Sequence, residues 1–544
     1  MFCRPAGDSR SEAHANIILF RRLGMRDTWK SRSTFILAAI GSAVGLGNAW
    51  RFPGLAAAHG GGAFLFVYLV AMLVIGIPML MMEIAIGRYV RKGAAGSMRA
   101  INKKAEFVGW MNVSNGIFIV VYYAVVFGWV ILMFFESYKF AKFTGDTEKA
   151  SKIWMNAIKT TGTTSGYSTI AWFALICTAI AWVSCWLCIR NGTTSVGKVV
   201  KFTVFLPVAC LVIMAIRGFM MDGAMEGLAK FFVPDFSALK DSSLWVDAIG
   251  QVFYSLSVAM AIMFAYGSFL RDDANIAVDA IIIAFSDLLI SMLAGVVMFT
   301  TMSGVGMLDK MTASGISTAF IVYPQAIAIM TDIPWVNAAF GYVFYFCLIT
   351  LAIDSCFSII EGVTTAISDK FGTNKRKTTI IYILIAAACG FIFLTGAGLA
   401  WLDIVDNYVN SYSLVLTGVI EAIVIGWFFK TSKVLDQINR NTKKFKMPKW
   451  WFEISIKFFA PIVLGGLFIW NMYNLIVKNG GIYGKADGYS VTANVIGGWS
   501  VFALVIFSGL IVKIVCAIRR KNGKGAAEEE LNWDDLAATG TDSE

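Results

Sequence analysis

The chain has 544 residues, of which 58% are hydrophobic and 15% charged, with a formal net charge of +11. A water-soluble protein of this length needs far more polar surface, so the composition excludes one and points to a chain that lives in a bilayer. The basic excess falls in short clusters between apolar segments, which fits the positive-inside distribution and leaves no nucleic-acid partner to expect.

Residues 1–28 are polar and basic, lack the apolar core of a cleaved signal peptide, and read as a cytoplasmic N-terminal segment. About twelve segments then reach the roughly 20 apolar residues that cross a bilayer. They lie near 34–55, 62–87, 108–136, 168–188, 196–217, 247–270, 276–304, 338–368, 378–397, 402–429, 454–477 and 493–516, inside one transporter-like membrane domain over 29–518. Basic clusters at 88–104, 370–377, 430–449 and 519–524 share one side if both termini are cytoplasmic. The lysines of 139–159 fall outside in that arrangement and are the exception. Residues 519–544 end in an acidic stretch expected to be a disordered cytoplasmic tail. Eight of the nine cysteines lie in the spans and Cys3 in the N-terminal tail, so no external disulfide framework is implied.

The first span carries Gly41-Ser42-Ala43-Val44-Gly45-Leu46-Gly47-Asn48-Ala49-Trp50-Arg51-Phe52-Pro53 at its centre. Glycine weakens a helix and proline removes a donor, so this span is expected to break. In hydrocarbon the freed amides and carbonyls must meet something polar, and broken spans survive where they line a cavity. The sixth span has two mid-span serines in Gln251-Val252-Phe253-Tyr254-Ser255-Leu256-Ser257-Val258-Ala259-Met260. If the first ten spans form two repeats of five, spans one and six correspond, and paired interruptions mark a midplane binding site. Residues 306–334 read either as a loop with short helices or as a lid over an external vestibule.

Asp287 and Asp354 sit mid-span, where an acid costs about 2.5–3.5 kcal/mol and should face a cation or a wet cavity. Glu83, Glu361 and Glu421 read as packing acids. Hard cations take carboxylate, carbonyl and hydroxyl oxygens, which these acids, Ser255, Ser355 and unwound backbone can supply. Only His14 and His59 are present, and HExxH, GxSxG and Walker-type loops are missing, which disfavours an intramembrane enzyme. His59, before Gly60–Gly62, reads as a surface residue.

Trp29 with residues 41–53, then Gly60-Gly61-Gly62-Ala63-Phe64, then Met82-Glu83-Ile84-Ala85-Ile86-Gly87-Arg88-Tyr89, resembles the neurotransmitter:sodium symporter family, in its bacterial amino-acid transporter form. The resemblance runs from about residue 26 through 429; the tails and spans eleven and twelve match weakly. It implies an all-α integral membrane protein of about 12 transmembrane helices, a 5+5 inverted repeat with discontinuous helices 1 and 6. Repeat one would cover about 34–217, repeat two about 247–429, and helices 11 and 12 about 454–516.

Position by position, the family pattern implies two Na+ sites. One would use the carbonyls of Gly41, Val44 and Leu351 with the side chains of Asp354 and Ser355. The other would use Ala43, Asn48, Ser255 and Asp287, joined by the substrate's carboxylate. In the substrate pocket the Leu46 and Gly47 amides and the Tyr123 hydroxyl would meet a carboxylate, and the carbonyls of Ala43, Tyr254 and Ser257 an ammonium. Ser255 and Ser355 would border it, and Ile119, Met260 and Ile359 would contact the side chain. Relatives that take amines without a carboxylate place an aspartate at the position of Gly45, so glycine favours an amino acid. The apolar trio favours a neutral one, aromatic or branched.

Arg51 and Asp406 match the outer gate with Tyr123 and Tyr254 as its aromatic lid, and Arg26 and Asp369 match the inner gate near Ser268 and Phe269. Three departures stand out. Span six has serine, alanine and methionine where relatives show glycines and phenylalanine, so less unwinding is expected there. Phe269 replaces a tyrosine. Asp287 sits beside Tyr68, Gln251, Ser255 and Ser291, which match a chloride site, so chloride is expected not to be required.

The expected function is sodium-coupled import of a neutral amino acid at the cell membrane by alternating access. The alternatives are a non-coupled amino-acid sensor of the same fold and a symporter of another zwitterion such as an osmolyte. Which amino acid, and which oligomeric state, the sequence leaves open.

Overall fold

The computed structural model describes residues 26–442, 445–522 and 533–538. It is helical throughout, with two isolated β-bridges, Gly61 to Pro234 and Ile170 to Thr395. Ten helices are long and apolar enough to cross a membrane: Gly62–Val90, Lys103–Glu136, Trp172–Ile189, Thr193–Phe219, Ile276–Gly304, Pro334–Phe371, Lys375–Leu394, Gly398–Trp427, Lys449–Lys478 and Val491–Lys521. In chain order these are spans 2–5 and 7–12. The pair Arg32–Ala43 and Gly47–Ala58, bent by 52°, makes span 1 and the eleventh crossing. The expected twelfth, span 6, is two pieces, Ser242–Ser255 and Ile262–Ser268, each too short to qualify alone.

The break in span 1 follows its composition. The first half-helix ends at Ala43, Val44 is extended (ψ 99°), and the chain resumes as a wide π-turn over Gly47–Arg51 with Pro53 opening the next helix. The break in span 6 does not. Ser257, Ala259 and Ala261 all take left-handed φ of 55–66° without a glycine among them. The expectation of weaker unwinding is therefore wrong: neighbours that grip residues 256–261 override side-chain preference. Each such L-residue costs roughly 1–2 kcal/mol. Ala261→Gly is accordingly expected to stabilise the protein by about 0.5–1 kcal/mol, after glycine's own entropy loss is deducted. Thermal unfolding in detergent measures it, and a drop in melting temperature would mean that the turn is not strained.

Spans 3, 8 and 10 form the centre, each 78% buried in its most apolar window, whereas span 12 is 28% and span 11 33% buried. The peripheral spans turn Trp172, Ile176, Leu384 and Ile511 outward, as a lipid-facing surface requires. Residues 306–334 are more than a loop. The apolar helix Gly315–Ala328 packs inward, with Phe320 stacked on Trp154 (4.9 Å) and tilted on Trp50 (5.6 Å), which supports the lid reading.

Two expectations at the periphery need correction. His59 is buried, not a surface residue: its Nε2 lies 2.7 Å from Asp247 and its ring stacks on Phe64. The C-terminal segment is not wholly without structure, because span 12 continues to Lys521 and Trp533–Ala538 forms a short helix. Trp533 is 3% exposed against Tyr89 and Phe429, and Asp534 pairs with Lys433, so one apolar ring is enough to dock that piece. Most of the segment 1–28, and residues 523–532 and 539–544, lie outside the described residues.

Candidate functional site

Between the two breaks lies a small cavity of about 20 Å³. Ala43, Leu46, Ile119, Tyr123, Tyr254, Ser257, Met260, Ser355 and Ile359 line it, all of them expected from sequence, together with Ser42, Gly45 and Asn48. Two expected residues stand behind the wall. Gly47 is pressed against the Tyr254 ring, where an added Cβ would come within 2.6 Å, and Ser255 turns to Asp287.

One end of the cavity offers donors. The Tyr123 hydroxyl lies 3.4 Å from the Leu46 amide, at the start of the second half-helix of span 1, where the helix dipole favours an anion. Gly45 keeps this end open: a Cβ there would sit 2.5 Å from Ser355 Oγ and 3.2 Å from the Tyr123 oxygen. The wall made by Ile119, Met260 and Ile359 is apolar and carries no charge. Ser42 was missed in the sequence. Its carbonyl accepts from Ser257 (3.1 Å) and Ser355 (3.3 Å), and its hydroxyl bonds Ser358 (2.9 Å), so it ties both broken spans to span 8. Its only signal was its place beside Gly41.

Two sealed carboxylates flank the cavity, neither with an ion-pair partner among the described residues. Asp287 is held by three donors: Asn48 Nδ2 (2.7 Å), Ser255 Oγ (2.7 Å from each oxygen) and Tyr68 OH (3.2 Å), with Ser291 Oγ 2.7 Å from the same Asn48 nitrogen. Gln251 bonds the Gly47 carbonyl instead (3.4 Å). Asn48 Oδ1 takes the Gly45 amide at 2.9 Å, pinning the unwound turn. Asp354 is different. It is 2% exposed, it packs directly on Gly41, its Oδ1 has no hydrogen-bond partner, and Thr203 of span 5 lies beside it. An orphaned buried carboxylate oxygen next to the carbonyl-bearing end of a broken helix suits a hard monovalent cation. Val44 and Leu351, the other expected carbonyl donors, are buried in the same region of spans 1 and 8.

The two gates are in different states. Inside, Arg26 Nη1 lies 2.9 Å from Asp369 and 2.7 Å from the Arg91 carbonyl, and the Gly93 amide donates to Asp369 at 2.6 Å. Trp29 adds two bonds to span 6, its Nε1 to the Tyr266 carbonyl (3.0 Å) and its amide to the Phe269 carbonyl (2.9 Å). Phe269 uses its ring face where a tyrosine would use a hydroxyl: Arg26 lies 5.1 Å and Lys375 4.5 Å above it. Outside, Arg51 and Asp406 do not form the expected direct pair. Arg51 lies over the Tyr254 ring at 5.5 Å, and Asp406 takes the Asn410 amide at 2.7 Å. The Arg26–Asp369 pair is formed and the Arg51–Asp406 pair is apart.

Broken spans around a small cavity, with one ion pair formed and its opposite number apart, fit a membrane carrier rather than an enzyme. The comparisons give the class a family. The chain matches the Sodium:neurotransmitter symporter family over residues 26–143 and 138–522, and it belongs to that family. It is similar to an uncharacterized sodium-dependent transporter of Methanocaldococcus jannaschii, 31% identical over 503 residues, covering 90% of this chain and 97% of that one. It is also similar to the human sodium- and chloride-dependent neutral and basic amino acid transporter B(0+), 26% identical over 93% of this chain and 87% of that one. Among solved structures, MhsT in complex with L-phenylalanine superposes with a TM-score of 0.70 at 29% identity, covering 82% of this chain and 99% of that one.

Proposed function

We propose that this carrier couples inward sodium flow to import of a neutral, apolar amino acid, aromatic or branched aliphatic, with two sodium ions per cycle and no requirement for chloride. The observation that carries the reading is the cavity itself. An amide and a phenol at one end suit a carboxylate, the carbonyls of Ala43, Tyr254 and Ser257 suit an ammonium, and Ile119, Met260 and Ile359 suit an uncharged side chain. The phenylalanine complex of MhsT supports an aromatic occupant. Asp354 with Gly41, Val44, Leu351 and Ser355 would hold one sodium. Asp287, Asn48, Ser255 and Ala43 would hold the other next to the substrate carboxylate, so that each offsets the other's desolvation. A sodium there needs the Asn48 amide turned so that its oxygen faces Asp287. Arg51 with Asp406 would close the outside after loading, and Arg26 with Asp369 would open the inside. The reading places the chain in the plasma membrane with both termini cytoplasmic.

Purified protein in liposomes should accumulate one or a few of phenylalanine, tryptophan, leucine, isoleucine and methionine from a twenty-amino-acid panel under a sodium gradient, and none under a potassium gradient. Replacing chloride by gluconate should leave the rate unchanged. Sodium-dependent binding without net uptake would indicate a sensor instead. Uptake that collapses in gluconate and returns with chloride would contradict the chloride assignment.

A further inference from the structure

A second cluster of buried polar groups lies behind the unwound part of span 6, away from the cavity. Glu83 of span 2 accepts the Ala259 amide on Oε1 at 2.7 Å. Asn115 of span 3 donates to the carbonyl of the same residue at 3.2 Å and to Thr417 Oγ1 of span 10 at 3.0 Å. One turn away on both helices, Asn112 donates to Glu421 at 3.0 Å and to the Val108 carbonyl at 3.1 Å. The left-handed Ala259 peptide is thus held at both its N–H and its C=O. Glu83, Asn112, Asn115 and Glu421 are all 0% exposed.

Counting donors and acceptors exposes a shortage. Both asparagine amides face acceptors, so their orientation is forced. The Thr417 hydroxyl is spent on the Ser413 carbonyl at 2.7 Å. Every N–H and O–H in the cluster is used, yet Glu83 Oε2, Glu421 Oε1, Asn112 Oδ1 and Asn115 Oδ1 have no partner. Two sealed carboxylates, with Glu421 the principal charge acting on Glu83, cannot both stay ionised cheaply. Among the described residues no cation compensates them. On the packed elements, Arg88 bonds the Ala274 and Gln437 carbonyls, Glu106 pairs with Arg99 and Lys370, Glu361 with Lys375, and Asp279 with Arg32. Asp287 is held by neutral donors, Tyr266 adds only a hydroxyl, Tyr122 bonds Asn410, and Tyr123 faces the cavity.

We propose that Glu83 and Glu421 are a proton-binding site: the two carboxylates share one proton, whose O–H joins the two orphaned carboxyl oxygens and clamps residues 256–261 to spans 2, 3 and 10. A proton is the one ligand that supplies the missing donor without needing volume in a fully sealed cluster. Its loss would leave two like charges behind the hinge of span 6 and loosen the clamp, so protonation and the movement of that hinge are linked. The assignment stands whichever solute the cavity takes.

Infrared difference spectra of the wild type, E83Q and E421Q in lipid at saturating sodium test it, because this readout needs no transported substrate. The wild type should show a deuterium-sensitive carboxylic-acid carbonyl band at neutral pH that fades on alkaline titration. Both glutamine variants should lack it, since the amide NH₂ now supplies the donor and the remaining carboxylate keeps the single charge. In uptake assays the wild-type rate should fall about tenfold per unit above that titration, while E421Q changes less than about twofold over the same range. The proposal is overturned if the wild type has no band that either variant removes, or if all three share one alkaline limb. It is overturned equally if exchanging sodium for potassium at fixed pH moves the band as alkali does, which would give the oxygens to a cation.

Discussion

Asp354→Asn is expected to abolish sodium-driven uptake while leaving a folded protein. The carboxylate is 2% exposed, one of its oxygens has no partner, and no basic residue pairs with it among the described residues. A charge in that position is a standing cost until a cation arrives, so its neutral isostere should fold at least as well. What it should not do, if Asp354 holds sodium as proposed, is bind the ion: removing one partner of a buried ion pair costs about 3–5 kcal/mol, or roughly two to four orders of magnitude in affinity. The expected result is a sodium-dependent thermal shift that disappears and uptake at background. Gly41→Ala should reproduce the loss with the charge intact, because its new methyl would overlap the Asp354 carboxylate. Sodium-driven uptake at wild-type rates in Asp354→Asn would remove this residue from the ion path.

If transport is chloride-independent as proposed, Asp287→Ser should make it chloride-dependent. Tyr68, Ser255 and Asn48 aim three donors at the carboxylate, which makes the surroundings an anion cradle with the anion covalently attached. Cutting it away leaves those buried donors unsatisfied, at about 1–3 kcal/mol each, and frees room for a halide. Uptake in gluconate should then fall at least about tenfold, and chloride should restore it. An Asp287→Ser variant equally active in both media would show that the fixed charge plays no such part.

How much of this was legible beforehand divides along physical lines. The break in span 1 announces itself through three glycines, an asparagine and a proline, because backbone freedom and a missing donor are properties of single residues. The break in span 6 does not, since Ser257 and Ala259 are held left-handed by partners on spans 1, 2 and 3 that are distant in sequence. The cavity wall was readable by resemblance, but Ser42 was not, because its role rests on a carbonyl and every residue has one. Arg51 and Asp406 are placed as a pair by their positions, whereas whether they touch depends on the conformation. The burial of His59 and of the tail at Trp533 shares one reason: a lone ring beside glycines or acids gives no periodic signal, and its burial comes from partners elsewhere in the chain.

The two doors of this molecule are unequally fastened. The cytoplasmic one is held by a guanidinium gripping both a carboxylate and a backbone carbonyl, by an indole bolted to span 6, and by two cations resting on one phenyl ring. The outer one has an arginine lying on a tyrosine and an acid bonded to an amide. On the proposed cycle, cargo must undo the heavier lock before anything is delivered. The residues of that fastened face, far from the solute they release, would then set the pace of delivery.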